Sequence, residues 1–500
     1  MIREGSAQPP RLISGTLLLL ALTALGVVVA RGWVSDDAFI TLRSVDHFLA
    51  GDGLVWNPGE RVQVFTHPLW AMLLISFHTV LASGWWAALL LGLSATTAFV
   101  VLLTRQTSMG TVAALGLLVG SSSFADFSTS GLENPLIHLL LGALVLWPRA
   151  RAPRVAGLLA GLALLTRLDV APLLLPILWG RLKPTDRLVG VRWASGPPLL
   201  WLGVSLFWFG ALLPNPALAK LGAGVPKAEV LAQGLIYLSS SAKTDPAGAV
   251  LLFLGLVACL IRPQLRWVGC GLLAHMAWIC WAGGDFMLGR FLTPDLAVAA
   301  AALTTVKLSW RTATPLAAAG LLLAALPNGT LRSPLHGVVD ESQELIDQHG
   351  LVDERLYYSP GSALIGWEPG VDMPHHPFRE RGEVAWTQEV ISIVAVGITG
   401  YFSAPEVVII DRTGVTDPFL ARLASRSGIS RPGHLYREVP FGYREWISSP
   451  SCDLRDSAQD ALCDDVRLAS RGPLLSVARA GAVARLLYGD LTQVLTGQRH

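Results

Sequence analysis

Long runs of apolar residues fill most of the chain before position 330, and they restrict the fold more than any other feature. The first run, LISGTLLLLALTALGVVVA at 12–30, has the length of a membrane-spanning helix. Only 15% of the residues are charged, whereas soluble domains carry roughly 25%. We therefore predict a multi-pass α-helical membrane protein. The further runs lie near 67–82, 85–104, 109–123, 134–148, 154–167, 169–181, 190–210, 247–261, 266–282, 291–307 and 312–327.

Basic residues between the runs predict the orientation in the membrane. The segment VVVARGW lacks the small residues that precede a signal-peptide cleavage site, so we expect an uncleaved anchor with a cytoplasmic N-terminus. Basic loops such as 149–154 and 181–192 should also be cytoplasmic. Because cytoplasmic and extracytoplasmic loops must alternate along the chain, one apolar run should not cross the membrane completely. The short run at 67–82 fits a re-entrant or interfacial helix, which leaves about eleven transmembrane helices.

The composition changes after Leu326 to a polar region of mixed charge. We predict a transmembrane catalytic domain over residues 1–330 and an extracytoplasmic soluble domain of mixed α/β structure over 331–500. PEVVIID is typical of a buried strand, and DESQELIDQHG predicts a helix ending at Gly350. Cys452 and Cys463 could form a disulfide, because the exterior is oxidising. Two free thiols remain the alternative.

Ionisable side chains gather in the loops assigned to the extracytoplasmic face. Such groups are costly at membrane edges and usually face a cavity, although a solvated loop charge explains any single one of them. Arginine and lysine can hold a phosphate, and a neighbouring carboxylate can act on a hydroxyl group. The mixed signs therefore favour a site for an anionic substrate. The candidates are Asp36, Asp37, Arg43, Glu60, His67, Glu133, Arg167, Asp169, Asn215, Lys220, Asp285, Arg290 and His434.

Four motifs then resemble a known family. An acidic pair directly after the first predicted helix resembles the GT-C superfamily of polyprenyl-phosphate-sugar glycosyltransferases. The longer stretch DDAFITLRSVDHFLAGDGLVWNPGERVQVFTHPLW is similar to the mycobacterial terminal β-(1→2) arabinofuranosyltransferase family. GGDFMLGR and the pair of motifs IDRTGVTDP and PGH, between Asp411 and His434, are similar to later motifs of that family.

This resemblance implies a GT-C-like fold and an activity. The implied enzyme moves a sugar, arabinofuranose as the best match, from a polyprenyl-phosphate donor to a cell-envelope glycan outside the plasma membrane. The implied donor is decaprenyl-phosphate-arabinose, the implied acceptor is an arabinogalactan-type glycan, and no nucleic acid is involved. No cofactor is certain, and a divalent metal remains open.

Roles for individual residues follow from the same resemblance. Asp36 and Asp37 are predicted to be catalytic, and Arg290, Lys220 and Arg167 to bind the donor phosphate. Most GT-C enzymes use the acid as a general base and invert the anomeric centre. The arabinofuranosyl relatives imply net retention instead, for which one aspartate would be a nucleophile.

Several of these residues also have an ordinary structural explanation. The acidic pair would also cap the following helix, Arg167 would also pair with Asp169, and His434 sits in a turn. A transporter or flippase of a lipid-linked sugar is the alternative function, but it would favour mid-span charges and paired halves, which the sequence lacks. The soluble domain should orient the acceptor, with Trp367, Trp386 and Tyr436 as external aromatic residues.

Overall fold

A computed structural model describes residues 10–148, 152–221, 225–327, 329–331, 346–371, 373–425, 432–446, 452–454 and 456–488. This part of the chain is mostly helical. Its α-helices, in chain order, are α1 (Pro10–Ala30), α2 (Asp36–Ala50), α3 (Pro68–Leu81), α4 (Gly84–Thr104), α5 (Met109–Gly120), α6 (Ser122–Asp126), α7 (Asn134–Leu146), α8 (Pro153–Thr166), α9 (Ala171–Arg181), α10 (Arg187–Trp208), α11 (Asn215–Leu221), α12 (Lys227–Thr244), α13 (Pro246–Ile261), α14 (Arg266–Ala282), α15 (Thr293–Thr304), α16 (Trp310–Ala325), α17 (Glu354–Ser362), α18 (Pro377–Val384), α19 (Gly397–Tyr401), α20 (Tyr443–Trp446), α21 (Ser457–Arg471) and α22 (Val477–Tyr488).

Two of these helices, by length and composition, can each cross a bilayer: α1 over Leu12–Ala30, and α4. The pair α12 and α13 forms a third candidate, bent by 109° at a short break. Other apolar helices are shorter than the roughly 20 residues that a straight span needs, among them α3, α5, α7 and α8. The described helices therefore agree with a membrane protein, while the count of about eleven spans stays a prediction.

The chain folds into two compact units, each built from three separate segments. Unit 1 contains Met1–Ser35, Leu81–Pro198 and Leu231–His375. Unit 2 contains Asp36–Val80, Leu199–Val230 and His376–His500. These units cut across the predicted boundary at residue 330, because the loop after the first helix folds together with the C-terminal part of the chain. The division into a membrane domain and a soluble domain stays a prediction.

Small residues let the helices of unit 1 pack closely. A Cβ atom built on Gly116 of α5 would lie 2.4 Å from the Cα atom of Ala317 in α16. A Cβ atom on Gly320 of α16 would lie 2.1 Å from the carbonyl oxygen of Gly116. Helices in membranes associate through such small-residue contacts, because lipid provides no hydrophobic driving force between them.

Unit 2 contains a two-stranded parallel sheet of β1 (Val390–Ile393) and β2 (Val408–Asp411), with Val390 opposite Val408. The intervening α19 packs against α2. Apolar residues of both strands are buried, in contact with residues from the loop after α2 such as Trp56. The predicted strand in PEVVIID is confirmed by β2.

Two other predicted features meet the structure only in part. The predicted helix over 340–350 lies mostly outside the described residues, and its last residues form a turn in which Ile346 pairs with Val352. Cys452 and Cys463 form a disulfide, which resolves the alternatives that the sequence left open. Cys259, Cys270 and Cys280 are free thiols.

Candidate active site

Five of the predicted site residues come together in unit 1. Glu133 immediately precedes α7, Arg167 and Asp169 lie between α8 and α9, and Asp285 and Arg290 follow α14. Helix α14 ends at Gly283, whose positive φ of 89° allows the chain to reverse and to present the GGDFMLGR motif. The sequence predicted these residues individually because each lies at the end of an apolar run.

The two arginines of this cluster contact its carboxylates at different distances. Arg167 is buried and forms a two-pronged pair with Asp169, at 3.0 Å from Nε to Oδ1 and 2.5 Å from Nη2 to Oδ2. Arg290 is partly buried; its Nη1 lies 3.3 Å from Asp285 Oδ2, and its Nη2 lies 3.8 Å from Glu133 Oε1.

Glu133 joins the two arginines, since its Oε1 is also 3.4 Å from Arg167 Nη1. The side chains of Glu133 and Asp285 are each only 1% exposed, whereas that of Asp169 is 25% exposed. Asp169 is therefore the carboxylate of this cluster that a ligand reaches most easily. Carboxylate oxygens accept hydrogen bonds, so the cluster offers acceptors for sugar hydroxyl groups beside a cation for a phosphate. Among the described residues, no three His, Cys, Asp or Glu side chains converge as metal ligands would.

The acidic pair begins α2 in unit 2, and its two members have different surroundings. Asp36 is buried, and its carboxylate accepts the N–H groups of Gly397 (3.1 Å) and Ile398 (2.7 Å). These are the first two residues of α19, whose free N–H groups favour a negative charge. Asp36 thus caps a distant helix in addition to starting its own, which the sequence interpretation did not foresee.

Asp37 is only partly buried, unlike its neighbours on either side. Thr41 lies one helical turn further along α2 and therefore on the same face as Asp37. The Thr41 hydroxyl is 2.9 Å from His67 Nε2. Thr41 thus places the imidazole of His67 beside the face of α2 that carries Asp37.

Three other candidates in unit 2 hold the main chain in place. Arg43 donates to carbonyl oxygens between Gly400 and Val407, at the end of α19 and before β2. Asn215 donates to the carbonyl oxygens of Gly414, Val415 and Asp417. Glu60 is buried and contacts Arg471 at 3.4 Å. We assign these three residues structural roles in the fold of unit 2.

Lys220 and His434, the remaining candidates, also lie in unit 2. Lys220 is exposed on α11, so it does not share the buried setting of Arg167 and Arg290. His434 is partly buried in the loop that precedes Arg437. Arg437 itself is buried and donates to the carbonyl oxygen of Thr413 at 2.6 Å, which joins the PGH segment to the IDRTGVTDP loop.

The IDRTGVTDP motif forms a closed loop around two buried carboxylates. Asp411 accepts the N–H groups of Thr413 and Thr416, each at 2.8 Å. Asp417 accepts the Tyr443 hydroxyl at 3.0 Å. Burial, reinforced by the nearby negative charge of Glu60, raises the pKa of Asp417 to about 8. We therefore interpret this motif as a scaffold rather than as a reacting group.

The sequence did not predict two buried polar pairs of unit 1. His275 Nδ1 lies 2.7 Å from Asp295 Oδ2, both within apolar runs and both fully buried. Asp245, directly before the run at 247–261, accepts the Ser121 hydroxyl at 2.6 Å. An ionisable residue within an apolar run was the available signal, because such residues are rare in membrane helices and usually have a partner.

The three predicted aromatic residues are divided between the units. Trp386 and Tyr436 of unit 2 are 62% and 38% exposed. Trp367 belongs to unit 1 and packs edge-on against Trp86, with ring centroids 5.2 Å apart. Only the first two are therefore exposed side chains of unit 2 that a glycan could stack on.

Comparison with known proteins gives two informative relatives. The chain is 29% identical over 349 residues to a terminal β-(1→2)-arabinofuranosyltransferase of Mycobacterium tuberculosis, covering 56% of this chain and 54% of that protein. It is also 29% identical over 368 residues to the enzyme of the same name from Corynebacterium glutamicum, covering 58% and 52%. The chain thus spans about half the length of the curated relatives it matches. No family model and no solved structure matches it. The resemblance predicted from the motifs is confirmed: this chain is similar to terminal β-(1→2)-arabinofuranosyltransferases, which supports a glycosyltransferase enzyme.

Proposed function

We propose that the protein is an integral-membrane glycosyltransferase that moves arabinofuranose from a polyprenyl-phosphate donor to a cell-envelope glycan on the extracytoplasmic face. The observation that carries this proposal is a cluster of charged side chains in a chain similar to two terminal β-(1→2)-arabinofuranosyltransferases. The cluster consists of Glu133, Arg167, Asp169, Asp285 and Arg290. Decaprenyl-phosphate-arabinose as the donor, and an arabinogalactan-type acceptor, rest on the resemblance.

The donor phosphate binds to Arg290 in this proposal. Its guanidinium lies 3.3 and 3.8 Å from the carboxylates of Asp285 and Glu133, and its fork of N–H donors can hold a phosphate oxygen through charge-assisted hydrogen bonds. Arg167 is tied to Asp169 and Glu133 and keeps their carboxylates in position. Lys220 remains a second candidate for the phosphate, as an exposed point charge.

The sugar hydroxyl groups bind to carboxylates of the same cluster. Asp169 is the most exposed of the three, and one of its oxygen lone pairs remains for a hydroxyl donor when Arg167 holds the carboxylate. A site of this kind discriminates strongly against sugars that lack the matching hydroxyl, since a buried acceptor would lose its partner.

Asp37 acts on the reacting groups, and Asp36 positions the start of α2. In an inverting transfer, the acceptor oxygen bonds to the anomeric carbon while the bond from that carbon to the phosphate oxygen breaks. Polyprenyl phosphate leaves with the bonding electrons, and Asp37 takes the hydroxyl proton. In a retaining transfer, Asp37 first displaces polyprenyl phosphate and bonds to the anomeric carbon. The acceptor oxygen then displaces Asp37, and the hydroxyl proton passes to the released phosphate.

Unit 2 also supplies the acceptor surface in this proposal. Trp386 is exposed although its indole N–H donates to the Phe402 carbonyl oxygen at 2.6 Å, so its ring orientation is fixed. Deleting residues 340–500 would remove α19 and with it the partner of Asp36, so that truncation disrupts the fold. Replacing Trp386 and Tyr436 by alanine is the sharper test. Transfer to a polymeric acceptor should fall, whereas transfer to a short soluble acceptor should be unchanged.

The purified full chain, given a synthetic farnesyl-phosphate arabinofuranose and an arabinan fragment, tests the function itself. A transferase releases farnesyl phosphate in an amount equal to the product formed, and Arg290→Gln lowers that rate. Arg266→Gln is the matched control, because Arg266 is exposed at the opposite end of α14. An intact donor after prolonged incubation with a folded protein, or movement of the unchanged lipid across vesicles, would contradict the proposal.

A further inference from the structure

A cavity of about 290 Å³ lies in unit 1 beside the second half of α1. Thr23, Gly26 and Ala30 line it on the side of α1, and Leu331 and Arg355 line it on the other side. Its volume is close to the lower end of the range for small-molecule pockets. None of the residues of the candidate active site lines this cavity.

The α1 side of the cavity is a face of small residues. Positions 23, 26 and 30 repeat at helical spacing, so they lie along one stripe of the helix. A Cβ atom built on Gly26 meets nothing within 4 Å, and Gly26 is exposed. The cavity is therefore open at this stripe, along a helix that is apolar enough to span a bilayer.

Two arginines lie at the end of the cavity. Arg31 directly follows α1 and is 5% exposed, and its Nη1 has no hydrogen-bond partner among the described residues. Its Nε and Nη2 donate to Asp126 at 2.6 and 2.8 Å, and Arg355 Nε lies 3.5 Å from the same carboxylate. Asp353 also lies near both guanidinium groups, but it is exposed and accepts the N–H of Leu356.

Two guanidinium groups thus lie together at the end of an apolar stripe, and the Nη1 of Arg31 has no acceptor among the described residues. From Thr23 to Arg31 the helix rises roughly 12 Å. This arrangement is complementary to an amphiphile with an anionic head and an apolar tail. A buried guanidinium N–H without an acceptor is costly, and a phosphate oxygen would supply that acceptor.

We propose that this cavity binds a phosphate ester of a lipid, with the phosphate at Arg31 and Arg355 and the tail along the Thr23–Ala30 stripe. The ligand is either a phospholipid of the surrounding bilayer or a free polyprenyl phosphate. The proposal does not depend on the proposed function, because it uses none of the residues assigned to that reaction.

Gly26→Leu tests the cavity directly, since a Cβ atom at Gly26 meets nothing within 4 Å and the larger side chain would occupy the stripe. Gly15→Leu is the matched control, because Gly15 is also a glycine of α1 with no atom within 4 Å of a built Cβ. Both full-length variants are titrated in detergent with phosphatidylglycerol, farnesyl phosphate, diacylglycerol and inorganic phosphate, and bound ligand is counted by native mass spectrometry. Lipid bound elsewhere is common to the two variants and cancels.

Gly26→Leu should bind phosphatidylglycerol or farnesyl phosphate at least about tenfold more weakly than Gly15→Leu does. The lipid with the larger difference identifies the source of the phosphate. Diacylglycerol should show no difference between the variants. Equal binding of both phosphate lipids by the two folded variants overturns the proposal. An equal difference for diacylglycerol also overturns the proposal, and so would a difference seen only with inorganic phosphate.

Discussion

Asp36 and Asp37 are neighbours in the chain, but their side chains meet different groups. Asp36 accepts the N–H groups at the start of α19, and Asp37 lies on the face of α2 that carries Thr41, whose hydroxyl is 2.9 Å from His67 of the loop before α3. The partly buried position of Asp37 leaves it accessible to a substrate. At the scale of single residues, the pair combines a fold-stabilising carboxylate with the one that we propose to react.

Asparagine at each position separates these roles. Asp37→Asn should lower the transfer rate by about 10² or more while unfolding at the wild-type temperature, because an amide neither takes a proton nor attacks. Asp36→Asn should lower the free energy of unfolding by about 1–3 kcal/mol, because the single amide oxygen cannot replace two carboxylate oxygens that each accept an N–H group. Transfer rates and thermal unfolding are measured on the same preparations. Wild-type rates in folded Asp37→Asn would remove Asp37 from the mechanism.

Arg290 provides a second residue-scale prediction. Arg290→Gln should raise KM for the donor by about tenfold or more, which corresponds to losing a charge-assisted contact of about 1.5–3 kcal/mol. Arg290→Lys should recover part of this loss because it keeps the charge, although not the forked geometry. Initial rates across donor concentrations measure the effect, with Arg266→Gln as the control. An unchanged KM in Arg290→Gln would show that the phosphate binds elsewhere.

At the scale of elements, the contact between α2 and α19 is closest at Gly397. A Cβ atom built there would lie 1.9 Å from the backbone oxygen of Asp36. Gly397→Ala should therefore separate the two helices and destabilise unit 2 by about 1–3 kcal/mol. Chemical denaturation measures this change. Gly203→Ala in α10 is the control, because nothing lies within 4 Å of its built Cβ, and its stability should be unchanged or higher. Equal stabilities of the two variants would contradict the close contact.

The same elements show what a sequence can predict. Strand β2 was predictable because VVII is a local apolar pattern, and Glu133, Asp285 and Arg290 were predictable because they lie at the ends of apolar runs. The cap that Asp36 provides was not predictable, because its partner Ile398 is 362 positions away and gives no local signal. Asp126 was missed because its partners Arg31 and Arg355 come from distant segments. Pairing across long separations is set by packing, which no local pattern encodes.

At the scale of the whole molecule, the proposal requires unit 2 to lie outside the cell. Ser403 is buried and unsuited to labelling, whereas Gln388 is exposed in the turn before β1. In a background in which the free thiols Cys259, Cys270 and Cys280 are serine, Gln388→Cys should react with an impermeant maleimide in intact cells. Labelling that requires lysis would reverse the predicted orientation and would place unit 2 away from an extracytoplasmic acceptor.

In the proposed function, this chain transfers an arabinofuranosyl residue from a lipid phosphate to a glycan. The most direct measurement is the NMR spectrum of the glycan recovered after incubation with a β-configured polyprenyl-phosphate arabinofuranose. The proposed function predicts one new arabinofuranosyl residue for each polyprenyl phosphate released, and no such residue with Asp37→Asn. A β linkage would identify the retaining route and an α linkage the inverting route. A recovered glycan without any added sugar, together with an intact donor lipid and a folded wild-type protein, would contradict the proposed function.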